Sequence, residues 1–261
     1  MTRGKVVSVF LLSVFAAHAN IRAPIIVDRA PTRLTAADAS LRVLAENLEF
    51  HCPAAFKGNR DMKAFAERTC DATIRYRVES AGIKAKFSFF FSGRGEVKWR
   101  AAERTSLVKP RAVKIEDKRS CWSCPEDMRH VLVAEEVLEL PAGKQDITIE
   151  YKQALSYFES GHSYFSDGKW QQEFTYELWP IAEWQWANDF SAELKFSVAM
   201  RPGFLGIGYK GDIMRCAIDE NGTQTELPLT APRQEGVRRV VTARIVLAKK
   251  PQRLRCSYIA D

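Results

Sequence analysis

The sequence predicts a mainly β protein: an antiparallel β-sandwich in two modules, carrying one or two short helices. Apolar side chains recur at every second position over long stretches, which places them on one face of a strand. Turn-forming residues break the pattern at intervals of about 8–12 positions, the rhythm of sandwiches rather than of α/β enzymes. Helical spacing is confined to short stretches.

In residues 70–79, Ala72, Ile74, Tyr76 and Val78 share one face, while Thr73, Arg75 and Arg77 share the other. That is a strand with one side buried. Ile83, Ala85, Phe87, Phe89 and Phe91 repeat the pattern beyond a turn at Ser80-Ala81-Gly82. Further strands are predicted over 48–52, 96–101, 112–115, 131–140, 146–153 and 173–178. Later ones cover 192–200, 213–218, 223–227, 240–247 and 254–259, with Glu220-Asn221-Gly222 as a tight hairpin between two of them. Residues 61–69 place Met62, Phe65 and Ala66 at helical spacing behind Asp61 as a cap. Thr35-Ala36-Ala37-Asp38 reads as a capping box. The segment after it is divided: Ala37, Leu41, Leu44 and Leu48 fit a helix, whereas Leu41 with Val43 fits a strand. Its strand-like flanks decide for a strand.

Leu140-Pro141-Ala142-Gly143-Lys144, followed by Ile147, Ile149 and Tyr151, has the form of a sandwich corner: a turn, an alternating strand and a terminal tyrosine. With the strand rhythm, this points to an immunoglobulin-like architecture. A boundary near Gln153 divides an N-terminal sandwich, 20–153, from a second β-rich module, 154–261, that holds an aromatic-rich segment. One continuous sandwich is the alternative.

The opening from Ile25-Ile26-Val27 to Leu48-Glu49-Phe50 resembles uncharacterised secreted or periplasmic β-sandwich proteins of bacteria. So do the 140–151 strand and Phe174-Thr175-Tyr176-Glu177-Leu178-Trp179-Pro180 followed by Trp184. The likeness runs over most of the chain beyond residue 19 and rests on structural motifs. It implies export and fold, and brings no activity, cofactor or site residue with it.

Residues 1–19 have the layout of a secretory signal. Arg3 and Lys5 form a positive head, Val6 to Ala17 a nearly unbroken apolar run, and Ala17-His18-Ala19 a small-residue cleavage site before Asn20. The run is shorter than the ~20 residues a membrane helix needs. A periplasmic or secreted chain without a membrane span is therefore expected. Basic residues exceed acidic ones, 39 to 32, and the two signs alternate along the chain, as on a solvated surface. No basic block resembles a nucleic-acid site, though an anionic glycan would be tolerated.

Cysteines stand at Cys52, Cys70, Cys121, Cys124, Cys216 and Cys256. An even number in an exported chain favours disulfides, and fifteen pairings are open to six cysteines. Proximity in sequence favours Cys52–Cys70, Cys121–Cys124 and Cys216–Cys256. Cys121-Trp122-Ser123-Cys124 is also the motif of a thiol–disulfide exchange site, with Lys118 and Arg119 upstream to favour a thiolate. Glu126 and Asp127 oppose that, and no βαβ pattern surrounds it, so a structural staple is the better reading. Zinc would need a second pair at matching spacing, which the other cysteines lack.

Residues 157–190 hold eleven of the 28 aromatic residues. The segment opens on an echo, Ser156-Tyr157-Phe158-Glu159-Ser160-Gly161-His162 and then Ser163-Tyr164-Phe165-Ser166-Asp167-Gly168-Lys169. Phe174, Tyr176 and Leu178 alternate as core residues. Tyr157, His162, Tyr164, Trp170, Trp184 and Trp186 are the candidates for a contact surface, because rings among amides and carboxylates stack on sugars or anchor a protein. Gly206-Ile207-Gly208-Tyr209-Lys210-Gly211 has dinucleotide-loop spacing, but a strand follows it where a helix is needed. Gly161-His162-Ser163 lacks the second glycine and the helix of a hydrolase elbow. A non-catalytic binding or structural protein, with no cofactor or metal and with an envelope glycan or protein partner, follows; thiol–disulfide exchange through Cys121 and Cys124 is the alternative. A polysaccharide hydrolase with acids in the 159–167 loop lacks a placed second carboxylate.

Overall fold

Period-two segments can satisfy their backbone only by pairing, and in the computed structural model most of the described residues do so. The structure describes residues 20–22, 24–28, 32–33, 39–56, 67–114, 130–160, 169–178, 184–202, 209–220, 222–247 and 252–260. The expected secretory signal, the expected Thr35 capping box, most of the expected 61–69 helix and the expected Cys121–Cys124 pair lie outside them. The elements among the described residues are strands; of the predicted 61–69 helix, Glu67 is helical and Thr69 already opens a strand.

The first half contributes β1 (Asn20–Ile21), β2 (Ile25–Ile26), β3 (Thr32–Arg33), β4 (Leu41–Cys52), β5 (Thr69–Phe91), β6 (Gly93–Ala101), β7 (Arg104–Val108), β8 (Arg111–Lys114) and β9 (His130–Ala154). Then come β10 (Ser156–Ser160), β11 (Lys169–Glu177), β12 (Gln185–Ala199), β13 (Arg201–Pro202) and β14 (Tyr209–Lys210). The chain closes with β15 (Ile213–Glu220), β16 (Thr223–Glu226), β17 (Arg233–Glu235), β18 (Arg238–Ile245) and β19 (Arg253–Ile259).

The large sheet runs β17-β18-β12-β4-β5-β9-β6-β7, with β1 and β2 on β5 and β8 on β9. A smaller sheet runs β10-β11-β19-β15-β16. The chain leaves the large sheet at Leu155, beside the expected boundary, and returns to it through β12, so residues from both sides of Gln153 share one core. The pairing is not purely antiparallel as expected. β12 lies parallel to β4, with Leu194 opposite Leu48 and Phe196 opposite Phe50. Alternation alone cannot distinguish the two directions, because it is the same in both.

The turn expected at 80–82 and the corner expected at 140–144 do not end strands. Ala81 pairs with Ala142 and Ile83 with Leu140, so the two signals face each other and both chains bend together. Gly82 and Gly143 supply the positive φ, 87° and 111°, that the bend requires.

A bulge at Leu44 changes the phase of β4: Val43 pairs with Val78, but Ala45 already pairs with Arg77. Leu41 and Val43 point inward before it, and Glu46, Leu48, Phe50 and Cys52 after it. The two sheets meet across these side chains. Phe174 lies 4.3 Å from Phe50 and 5.3 Å from Phe196, and Phe196 lies 6.0 Å from Tyr258. Phe174, Tyr176 and Leu178 are buried as their alternation predicts. The outer face of the large sheet is charged and paired, as in Arg104–Glu136 at 3.1 Å and Arg111–Glu135 at 2.8 Å. Such exposed pairs add little stability each.

Glu46 ends on a polar chain that crosses the core. Its carboxyl oxygen lies 2.7 Å from the Tyr176 hydroxyl, which lies 2.8 Å from that of Tyr76. The Tyr76 hydroxyl donates to Asn20 Oδ1 at 2.5 Å, and Asn20 Nδ2 donates to the Glu177 carbonyl at 2.7 Å. Burial pushes the Glu46 carboxyl up to about 7 against hydrogen bonds that pull it down.

Cys52 bonds to Cys70 across the β4–β5 end, and Cys216 to Cys256 across directly opposed positions of β15 and β19. Both pairings match the proximity reading. Non-reducing peptide mapping should return these two linkages, and a Cys52–Cys216 peptide would overturn them. Removing the first bridge with serines should cost about 3 kcal/mol, since it closes a short loop in the unfolded chain.

Candidate functional site

The small sheet turns one period-two face inward and the other outward. On β11 the inward set is Gln172, Phe174 and Tyr176, leaving Gln171, Glu173, Thr175 and Glu177 on the opposite face. On β19 the matching outer residues are Arg253, Arg255 and Ser257. Register then brings opposite charges together. Glu177 faces Arg253 directly and takes its Nε–H at 2.5 Å. Arg255 lies diagonally between Glu173, at 2.8 Å, and Asp219, at 3.7 Å. All three carboxylates are buried; burial raises the Glu173 carboxyl above its usual range, and Arg255 partly offsets this.

Over this face lies a groove of about 300 Å³, lined by Gln171, Glu173, Arg215, Gln224, Glu226, Arg255 and Ser257. Arg215 and Glu226 are exposed and make no ion pair or side-chain hydrogen bond with a described residue. The groove thus presents one guanidinium, one carboxylate, two amides and a hydroxyl, ready to donate to and accept from a polar ligand. Among the described residues, no cluster of three or more His, Cys, Asp or Glu could hold a metal ion. No helix among them is long and apolar enough to cross a membrane.

The predicted contact residues do not stay together. Tyr157 and Trp170 flank the start of this sheet, on β10 and β11, and both are partly buried. Burial pushes the Tyr157 phenol up to about 12 despite the charges of Arg68 and Arg94. Trp184 is 2% exposed, its ring 6.2 Å from Tyr76 and 6.0 Å from Phe87, so it is a core residue and leaves the surface set. Large aromatics that follow a strand segment are drawn inside by the area they bury. Trp186 belongs to β12 in the large sheet, while His162 and Tyr164 lie outside the described residues. The groove itself was missed. Its signal is the other phase of the alternation, Glu173-Thr175-Glu177 against Arg253-Arg255, which apolar periodicity does not mark.

No known protein family matches the chain, and no curated protein does. Among solved structures, it is similar to a "putative nutrient binding protein" from Legionella pneumophila, at 9% identity and a TM-score of 0.44 over 92% of this chain and 72% of that one. It is also similar to the M1 zinc metallopeptidase of Deinococcus radiodurans, at 11% identity and a TM-score of 0.37, covering 83% of this chain and 42% of the enzyme. Leukotriene A4 hydrolase from Saccharomyces cerevisiae follows at 7% identity and 0.36, over 88% and 32%. The chain spans less than half the length of either of these two structures.

Proposed function

We propose that this is an exported, disulfide-stabilised β-sandwich protein of the periplasm or cell surface that binds an envelope glycan without transforming it. The observation that carries the reading is the groove on the small sheet, whose lining is hydrogen-bonding rather than apolar. Sugar hydroxyls both donate and accept, so Gln171, Gln224, Ser257, Arg215 and Glu226 suit them better than they suit an apolar protein face. Trp170 and Tyr157 on the adjoining β10–β11 hairpin share the phase of Gln172, on the face opposite the groove, and are kept with His162, Tyr164 and Trp186 as further contacts only. Arg255, placed between Glu173 and Asp219, gives both buried carboxylates a structural partner, which supports a binding role. The Cys52–Cys70 and Cys216–Cys256 bridges fit an oxidising compartment.

Co-sedimentation of the purified protein with envelope polysaccharide tests this. Arg215→Ala combined with Glu226→Ala should weaken retention about tenfold, equivalent to one lost polar contact, and leave the melting temperature unchanged because both side chains are exposed. Failure of the wild type to bind any envelope polysaccharide, or selective capture of a protein instead, would overturn the glycan reading.

A further inference from the structure

The inner face of the small sheet changes character near the Cys52–Cys70 bridge. Register aligns Tyr157, Gln172 and Tyr258 in one row across β10, β11 and β19. Gln172 is 0% exposed and Tyr258 1%, yet neither the amide nitrogen nor the amide oxygen of Gln172 has a hydrogen-bond partner, and nor does the Tyr258 hydroxyl. Three such atoms side by side are not a normal core, where buried polar groups are almost all satisfied.

Arginines outnumber the carboxylates around this row, where Asp212 also acts on Tyr258. Arg68 donates to the Ala54 carbonyl, Arg238 to the Cys52 carbonyl at 3.3 Å, and Arg201 to the Ala55 carbonyl at 2.8 Å. Three guanidiniums are thereby tethered around the chain leaving β4. Asp212 neutralises Arg201 at 2.7 Å and also accepts the Ala55 N–H. Asp71, the carboxylate acting on Arg238, is bonded to Lys152. Arg68 acts on the phenols of both Tyr157 and Tyr258, which stand on either side of Gln172, and Arg94 acts on Tyr157. The arginines use part of their donor sets on carbonyls, and the fork geometry of the remainder suits an oxyanion.

We propose that this end of the interior is a binding site for a small oxyanion, held by the Gln172 amide and the Tyr258 hydroxyl, with Arg68 and Arg238 supplying the charge. The amide N–H and the phenol donate to the anion's oxygens, and the half-buried Tyr157 on the edge strand β10 marks the side from which it enters. This site is separate from the groove, because Gln171 and Gln172 point to opposite faces of β11. It stands or falls independently of the glycan reading.

Thermal melting and calorimetric titration with sulfate, phosphate and glucuronate, each against chloride at equal ionic strength, decide the matter. A mineral oxyanion and a sugar carboxylate are thereby distinguished. At least one should raise the melting temperature saturably, as ligand linkage requires. Tyr258→Phe, which removes only the hydroxyl, and Gln172→Leu should each weaken binding at least about tenfold. Arg68→Gln should do the same, and Arg215→Ala with Glu226→Ala should leave anion binding untouched. If Gln172→Leu does not fold, Tyr258→Phe carries the test. The proposal is overturned if no anion exceeds the chloride control. It is equally overturned if Tyr258→Phe keeps the full response, which would mean that ordered water alone fills the row.

Discussion

Gly93→Ala is expected to lower the melting temperature by about 10 °C, the scale of a core disruption in a chain of this size. Gly93 opens β6 directly opposite Gln153 of β9. A Cβ built there would stand 2.2 Å from the Lys152 carbonyl oxygen and 2.8 Å from the Phe91 ring. The oxygen cannot retreat freely, because Lys152 belongs to the β5–β9 ladder opposite Asp71, and the next residue, Gln153, is fully buried. The Phe91 ring is held against Tyr151 at 5.4 Å. Relief therefore requires moving backbone in the middle of the large sheet, which costs about 3–5 kcal/mol by comparison with other severe substitutions. Gly95→Ala is the control: its φ is +74°, but nothing lies within 4 Å of an added methyl, so only about 1–2 kcal/mol of left-handed strain is expected. A Gly93→Ala protein melting within 2 °C of the wild type, in a calorimetric scan, would refute the close approach, since a core-scale cost shifts melting by several degrees.

The second large effect concerns the proton on Glu46. The Tyr176 hydroxyl donates to the Glu46 carboxyl at 2.7 Å, and the Tyr76 hydroxyl donates to Asn20 Oδ1 at 2.5 Å. Burial nevertheless raises the Glu46 carboxyl to about 7, so the folded chain keeps this proton to a higher pH than the unfolded chain does. Below pH ~4.5 the folded and unfolded chains both hold this proton, and the stabilising contribution is complete. Above that the unfolded chain releases it first, so stability falls by about 1.4 kcal/mol per pH unit, and by about 3 kcal/mol in all by pH 7. Glu173, also raised by burial, acts in the same direction, whereas the lowered Glu135 stabilises at higher pH and loses that on acidification. Comparison with Glu46→Gln isolates the one group, since the amide oxygen can still accept from Tyr176 but does not titrate. The wild type should lose roughly 5–10 °C relative to Glu46→Gln between pH 5 and pH 8, from the stability scaling of a chain this long. Parallel melting profiles for the two proteins would refute it.

What could be read from the sequence follows from what period two encodes. Alternation names strands and inward faces, and it placed Phe174, Tyr176 and Leu178 correctly. It does not name partners. The turn signals at Ser80-Ala81-Gly82 and Leu140-Pro141-Ala142-Gly143 were real bends, but only their pairing with each other shows that they deform two strands without ending either. The helix-like spacing of Leu41, Leu44 and Leu48 has a similar origin: a bulge inserts one residue, and a strand with a phase change mimics a longer period. The groove residues come from four strands that only the ladder β11-β19-β15-β16 unites, so no local motif announces them. The burial of Trp184 likewise depends on Tyr76 and Phe87, neighbours remote in sequence.

The parallel ladder between β4 and β12 also sets the order in which this molecule can assemble. β4 and β5 are close along the chain and tied by Cys52–Cys70, so they can meet early, whereas Leu48 must wait for Leu194. Contacts between such distant positions close slowly, because a long loop must be ordered first. Until β12 arrives, the other side of β4 is an open edge twelve residues long, bearing Leu48 and Phe50. A chain emerging from its N-terminus thus exposes a sticky strand for most of its synthesis. Truncation ahead of residue 185 should consequently yield an aggregating fragment rather than a smaller folded domain.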